Sequence, residues 1–351
     1  SIGLVGSEMC IRDSSKDHQG HSGAKEMRYD QMIPMSESPD RVDIILGALN
    51  ESGFFDIQKP VVFGLDEVLR IHDPDFVKFL KDCYKLWERQ FGPNGFATAY
   101  TFGMRGMDQK PNSSVHSMLS CYTFDVCVPF VDGTWKAINS SKDVALTGAK
   151  LIIDGERSIF SLCRPPGHHA SKDLAGGYCY LNNAAIAAQY YLDQGANKVA
   201  ILDIDYHHGN GSQNIFYERA DVLFTSLHCR PEDEYPFLSG YQNETGFGAG
   251  ENFNFNFPMP LGTTYAVWEQ SLGCAIKKIK KYAPDVIVVS LGVDTFIDDP
   301  VGGFKLLSED FLDIGKKISQ LRRPTHFIME GGYAKKELGI NVSNIISGFV
   351  E

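Results

Sequence analysis

Residues 198–211 read Lys198-Val199-Ala200-Ile201-Leu202-Asp203-Ile204-Asp205-Tyr206-His207-His208-Gly209-Asn210-Gly211. The apolar run after Gly195 predicts a buried strand of an α/β sheet, because both faces of such a strand are covered by helices. Where it stops it delivers carboxylates and imidazoles at alternate positions. If the extended conformation continued, Asp203, Asp205 and His207 would project to one side and Ile204 and Tyr206 to the other. Carboxylate oxygen and imidazole nitrogen in that pattern suit a divalent first-row metal, zinc foremost.

Working outward, the same alternation of short apolar runs and amphipathic stretches continues in both directions. Strands are expected at Ser158–Leu162, Val222–Leu227, Val286–Leu291 and Thr325–Met329. Helices are expected at Trp135–Ile153, Leu181–Leu192, Gln213–Arg219, Tyr265–Tyr282, Ser308–Leu321 and Lys335–Ile346. Strands alternating with helices predict a single-domain, mostly parallel sheet flanked on both faces. Upstream, Ser38-Pro39-Asp40 starts a helix that closes near Gly53, and His72-Asp73-Pro74-Asp75 opens a second one. From Phe91 to Asp132 the pattern dissolves into Gly, Pro, Asn, Ser and Met, and Cys229–Phe257 reads as another long loop. Residues 1 to about 15 show no amphipathic period, and residues 1–27 are expected to be a non-core tail, partly artefactual. The catalytic domain would then run from 28 to 351, with a long insertion at about 86–132.

The bulk composition narrows the function. A formal net charge of -11 and a pI near 5.4 disfavour nucleic acid and anionic membranes as partners, since both need clustered Lys and Arg. Eight cysteines, among them Cys83, Cys163, Cys179 and Cys274, sit in apolar segments without C-x-x-C pairs. That pattern predicts buried free thiols in a reducing cytoplasm. No signal peptide and no apolar stretch of membrane-spanning length is visible.

In open parallel sheets, ligands bind beyond the carboxyl ends of the strands. Five predicted strands here end in Pro166-Gly167-His168-His169, Asp203–His207, His228, Gly292-Val293-Asp294 and Glu330-Gly331-Gly332-Tyr333. Asp205, His207 and Asp294 make the most economical metal set, leaving room for water and a substrate oxygen. His168 and His169 are both candidates for the base. Asp203 and Asn210 could each orient one imidazole, and Tyr333 could donate a hydrogen bond to an oxyanion.

The ordered motifs RPPGHH, GGYCYLNNAA, DIDYHHGNG, SLGVD and MEGGY resemble the histone deacetylase superfamily, within the arginase/deacetylase fold. The finer pattern is similar to its bacterial acetylpolyamine amidohydrolase branch. That resemblance implies zinc on Asp205, His207 and Asp294, with ferrous iron as the alternative metal. It implies His169 as general base and then acid, His168 as its electrostatic partner held by Asp203, and Tyr333 as the donor that polarises the carbonyl. Tyr178 and Tyr235 would wall an acyl tunnel, and Asp203, Asp205, His207, Ser226 and Leu227 would hold a structural potassium ion. The implied activity is removal of acetyl from a small, cationic acetylated amine by a homodimer. The insertion carries Arg89, Arg105 and Lys110 beside Asp108, Asp125 and Asp132, so it shows no clear acidic complement and leaves acetyl-lysine open as a substrate. A ureohydrolase using Asp298 and Asp299 for a second metal, and a non-catalytic acetylamine sensor, are more distant readings.

Overall fold

A computed structural model describes residues 9–12, 16–28, 30–52, 55–93, 95–104, 106–108 and 110–351. Gly53, Arg105 and most of residues 1–15 lie outside them. The strands are β1 (Met9–Arg12), β2 (Lys25–Arg28), β3 (Gln31–Pro34), β4 (Phe55–Gln58), β5 (Ser158–Ser161), β6 (Val199–Asp203), β7 (Val222–Cys229), β8 (Asn254–Met259), β9 (Val286–Leu291) and β10 (Thr325–Met329). The helices are α1 (Asp40–Ser52), α2 (Asp66–Leu69), α3 (Pro74–Phe91), α4 (Val115–Tyr122), α5 (Thr134–Ile153), α6 (Asn183–Asp193), α7 (Asn210–Phe216), α8 (Tyr265–Tyr282), α9 (Ser308–Ser319) and α10 (Leu338–Val350). Eight strands form one sheet in the order β4-β1-β5-β10-β9-β6-β7-β8, and every pairing in it is parallel.

Period-two alternation divides the central strands between two cores. Val199, Ile201, Val288 and Ile328 face one layer with residues of α3, α5 and α6. Ala200, Leu202, Val289 and Met329 face the other with residues of α1, α8, α9 and α10. Each fully buried Val, Leu or Ile contributes about 1.5–3 kcal/mol of transfer free energy, so the chemistry at the strand ends stands on the most stable part of the molecule. Local signals start the helices where expected: the Asp73 carboxylate accepts from Asp75 N and Phe76 N, with Pro74 in the first turn, and Asn182 Oδ1 accepts from Ala185 N.

Four expectations need correction. Residues 16–28 are not a tail: His18, His21 and Glu26 are buried, and the Arg164 guanidinium donates to His18 O and His21 O at 2.5 and 2.8 Å. A charged residue far away in sequence, rather than apolar periodicity, anchors this short polar segment. The insertion contains α4, too short to show a period against its Ser-rich surroundings. The loop after Cys229 ends in β8, an edge strand whose Pro258 and half-buried Phe residues mask it. Of the cysteines expected to be buried, Cys83, Cys163 and Cys179 are, but Cys274 is exposed on α8. The seven cysteines with described side chains are free thiols.

Candidate active site

The strand of the opening stretch stops at Asp203, one turn earlier than simple alternation requires. Beyond it the backbone is shaped by carboxylates that accept from N–H groups two residues on: Asp203 Oδ1 from Asp205 N (3.2 Å) and Asp205 Oδ1 from His207 N (2.9 Å). Asp294, just beyond β9, closes the arrangement by accepting from Tyr206 N at 2.9 Å. Asp203 is thereby turned away from Asp205 and His207 and accepts instead from His168 Nδ1 at 3.0 Å. Ile204 and Tyr206 are buried in the apolar layer.

Asp205, His207 and Asp294 bring one ligand atom each within 4.8 Å of one another, and all three are buried. His207 Nδ1 lies 3.1 Å from Asp294 Oδ2 and 3.3 Å from Asp205 Oδ1. Burial together with the Asp205 charge pushes the Asp294 carboxyl up to about 7. Burial disfavours a charged His207, yet its hydrogen bonds to both carboxylates hold its pKa well above the ordinary value. Two buried carboxylates therefore demand positive charge between them, which is the electrostatic requirement a divalent cation meets. Close packing is completed by Gly331: its N–H donates to Asp205 Oδ2 at 2.8 Å, and a Cβ there would fall 2.4 Å from Asp294 Oδ2. A second grouping, His168, Cys179 and Glu330, suits a metal less well. There Glu330 Oε2 already accepts from Gly167 N and His168 N.

The His168 and His169 rings lie against each other with centroids 4.0 Å apart and planes tilted by 44°. Each donates Nδ1–H to a different acceptor, His168 to Asp203 and His169 to Asn210 Oδ1 at 2.7 Å. Burial opposes charge on His168, but Asp205 and Asp203 outweigh it and raise its pKa to about 10. Burial and the neighbouring His168 and His207 charges drive His169 well below the usual histidine range. One imidazole is thus cationic and the other neutral at pH 7, with Nε2 of His169 left as a proton acceptor. These residues share a cavity of about 290 Å³ with Tyr333, Tyr178 and Tyr235. Tyr333 is held by its own N–H to Asp299 Oδ2 (2.6 Å) and by the Arg41 guanidinium 4.8 Å over its ring. Asp299 is engaged by the Tyr333 and Ala334 amides, and Asp298 is exposed. Among the described residues, neither carboxylate named for a second metal belongs to a group that brings its ligand atoms within 4.8 Å of one another.

Sequence reasoning missed several residues of this site. Glu26 lines the cavity and accepts from the Tyr178 hydroxyl; Asp125 accepts from the Tyr235 hydroxyl. Glu37 bridges Arg41 (3.0 Å) and Arg164 (2.8 Å), and Arg41 donates to Glu330 O and Gly332 O. A buried tyrosine hydroxyl or arginine requires partners, but sequence spacing does not say which. Of the residues named for potassium, Asp203 at the end of β6 pairs in register with Ser226 within β7, where Leu227 follows.

The histone deacetylase domain family matches residues 35–349. The chain belongs to the histone deacetylase family. It is 47% identical over 335 residues to acetylpolyamine amidohydrolase 2 of Pseudomonas aeruginosa, covering 95% of this chain and 97% of that one. It is 44% identical over 334 residues to the acetylpolyamine amidohydrolase of Mycoplana ramosa, covering 95% and 98%. The crystal structure of acetylpolyamine aminohydrolase from Burkholderia pseudomallei superposes with a TM-score of 0.91 at 34% identity, covering 97% of this chain and 98% of that one. The arginase/deacetylase fold expected from the strand-end motifs is the fold observed. Among the described residues no helix is long and apolar enough to cross a membrane.

Proposed function

We propose that this histone deacetylase family member is a cytoplasmic, zinc-dependent amidohydrolase that removes acetyl from small cationic amines, acetylpolyamines above all. One observation carries the reading: the Asp205, His207 and Asp294 group and the His168–His169 pair open into a single cavity whose lining includes the carboxylates of Glu26 and Glu234. Arg28 also lines it, but its guanidinium donates to Pro300 O. The acidic complement that the insertion lacks is supplied by the N-terminal hairpin and by the loop after β7. The curated relatives named acetylpolyamine amidohydrolase support the same substrate class.

Asp205, His207 and Asp294 would hold the metal, and the donor set tolerates ferrous iron as well as zinc. The chemistry such an ion supplies is Lewis acidity toward an acyl oxygen and toward water. His169, neutral and oriented by Asn210, takes a proton from the attacking water at Nε2 and returns it to the amine nitrogen as the C–N bond breaks. His168, cationic and held by Asp203, offsets negative charge developing beside it. Burial keeps the Tyr333 phenol protonated well above its ordinary pKa, so its hydroxyl donates to the acyl oxygen. Tyr178 and Tyr235 flank the acyl chain. Asp203, Asp205, His207, Ser226 and Leu227 would enclose a structural potassium ion.

Amine release from acetylputrescine, acetylspermidine, acetylcadaverine and acetyl-lysine peptides, with and without chelator, tests this reading. The expected outcome is chelator-sensitive turnover with the highest kcat/KM on an acetylpolyamine. Chelator-resistant turnover would overturn the metal assignment, and two divalent transition-metal ions per chain by elemental analysis would favour the ureohydrolase reading. A homodimer through the insertion is supported by its exposed Tyr100, Phe102, Met104 and Met107. Light scattering at one-chain mass would overturn it.

A further inference from the structure

The reaction uses the rings of Tyr178 and Tyr235, but it assigns nothing to the carboxylates beneath their hydroxyls. Asp125 stands out, because one of its oxygens serves two sides of the cavity. Oδ2 accepts from the Tyr235 hydroxyl at 2.5 Å and from Gly177 N at 2.8 Å, while Oδ1 accepts from Cys127 N at 2.8 Å. All three partners are donors, so the group acts as a carboxylate. Its segment is docked along the opposite turn: Phe124 N donates to Ala175 O (3.0 Å), Ala175 N to Tyr122 O (2.9 Å) and Tyr178 N to Cys127 O (3.1 Å).

What Asp125 holds lies against the proposed base. The Tyr235 ring stands edge-on to His169, with centroids 5.0 Å apart and planes at 88°. Gly177 and Tyr178 both have left-handed backbones, with φ of 51° and 65°. At Gly177 a Cβ would lie 2.4 Å from the His169 ring and 2.8 Å from the Tyr235 hydroxyl. A non-glycine residue keeps such a conformation only where surrounding bonds over-determine it, and the Asp125 bond to Gly177 N is one of them. The turn bearing Tyr178 and the loop bearing Tyr235 have no other carboxylate in common among the hydrogen bonds described.

We infer that Asp125 is a positioning residue for deacetylation: by holding the Tyr235 hydroxyl and the Gly177 amide on one oxygen, it sets the gap between the two walls beside His169 and so the acyl length the site accepts. This gives the insertion a role at the reaction centre, and it rests on the deacetylase reading above.

Kinetics on acetyl, propionyl and butyryl derivatives of one diamine test it, in wild type, Asp125→Ala, Asp125→Asn, Tyr235→Phe and the Asp125→Asn/Tyr235→Phe double variant. Asp125→Ala is expected to raise KM for the acetyl substrate about tenfold, to lower kcat less, and to reduce the acetyl-over-butyryl preference about tenfold, the scale of one hydrogen bond to a charged group. Asn, which keeps an acceptor oxygen, should recover part of that preference. Tyr235→Phe should reproduce the loss of selectivity, and the double variant should lose less than the product of the two single effects. Unchanged acyl preference in both Asp125→Asn and Tyr235→Phe, or strictly multiplicative effects, would overturn the inference. Should Asp125→Ala not fold, as judged by thermal melting, those other variants decide it. Wild-type protein that releases amine from no acyl substrate would instead overturn the deacetylase reading itself.

Discussion

The rim of the sheet and the collar around the tunnel are built on opposite plans. On the rim, Asp203, Asp205 and Asp294 sit at or just past the ends of β6 and β9; the first two accept from amides two residues on, and Asp294 from Tyr206 N beyond the neighbouring strand. In the collar, Tyr178 and Tyr235 lie on irregular turns and are tied to Glu26 and Asp125, more than a hundred residues away in sequence. Reacting groups need sub-ångström placement, which strands buried on both faces provide. Selectivity needs walls that can differ between relatives without disturbing the core, which loops pinned by single carboxylates provide. Under the function proposed above, rate and choice of substrate fall to separable parts of the molecule, and Glu37 with its two arginines ties the Glu330–Gly332 backbone to residues 18–21.

The largest expected effect is on the rim. His169→Ala should lower kcat by about 10²–10⁴-fold, the usual worth of a positioned base, with KM on acetylated amines little changed. Undiminished turnover would remove His169 from the mechanism. Tyr333→Phe follows, with a loss of about 10²–10³-fold in kcat; a change confined to KM would make the hydroxyl a binding group instead.

Next is the joint between the two regions. Glu37→Gln strands Arg41 and Arg164 in the interior and should cost about 3–5 kcal/mol in denaturant unfolding. Burial alone would raise the Glu37 carboxyl, but Arg164 and Arg41 hold it below its ordinary value of 4.5. A depressed folded pKa contributes stability that is present above pH 4.5 and is lost as pH falls through the folded value. The wild-type stability curve should therefore descend on the acid side more steeply than that of Glu37→Gln, and parallel curves would count against the linkage. The smallest effect belongs to the collar: Glu26→Gln should raise KM for a cationic acetylamine about tenfold relative to a neutral one, the scale of a hydrogen bond to a charged group, with kcat nearly intact. An equal change for both substrates would mean that Glu26 only supports Tyr178.

The rim was legible because it obeys two local rules. Val199–Leu202, Val286–Val289 and Phe327–Met329 are continuous apolar runs, and polar residues that follow such runs at their carboxyl ends fall on one edge of a parallel sheet. Strand alternation nonetheless misplaced Asp203, because the chain leaves extended geometry there and carboxylate-to-amide bonds take over. Residues 16–28, α4 and β8 were illegible for a different reason: each is short or polar, and each is ordered by contacts with residues far away in sequence.

By itself, then, the sequence determined the alternation of strands and helices from α5 onward apart from β8, the rim at their carboxyl ends, and Asp205, His207, Asp294, His168, His169 and Tyr333 as the candidates gathered on it. Periodicity and strand-end position are properties of neighbouring residues, so they survive in one dimension. Only the tertiary structure decided that Glu26 and Asp125 stand behind the tunnel tyrosines, that Asp299 anchors Tyr333, and that Glu37 joins two arginines. Those pairings answer the demand of buried hydroxyls and charges for partners, and the partner is whichever group the fold brings within about 3 Å.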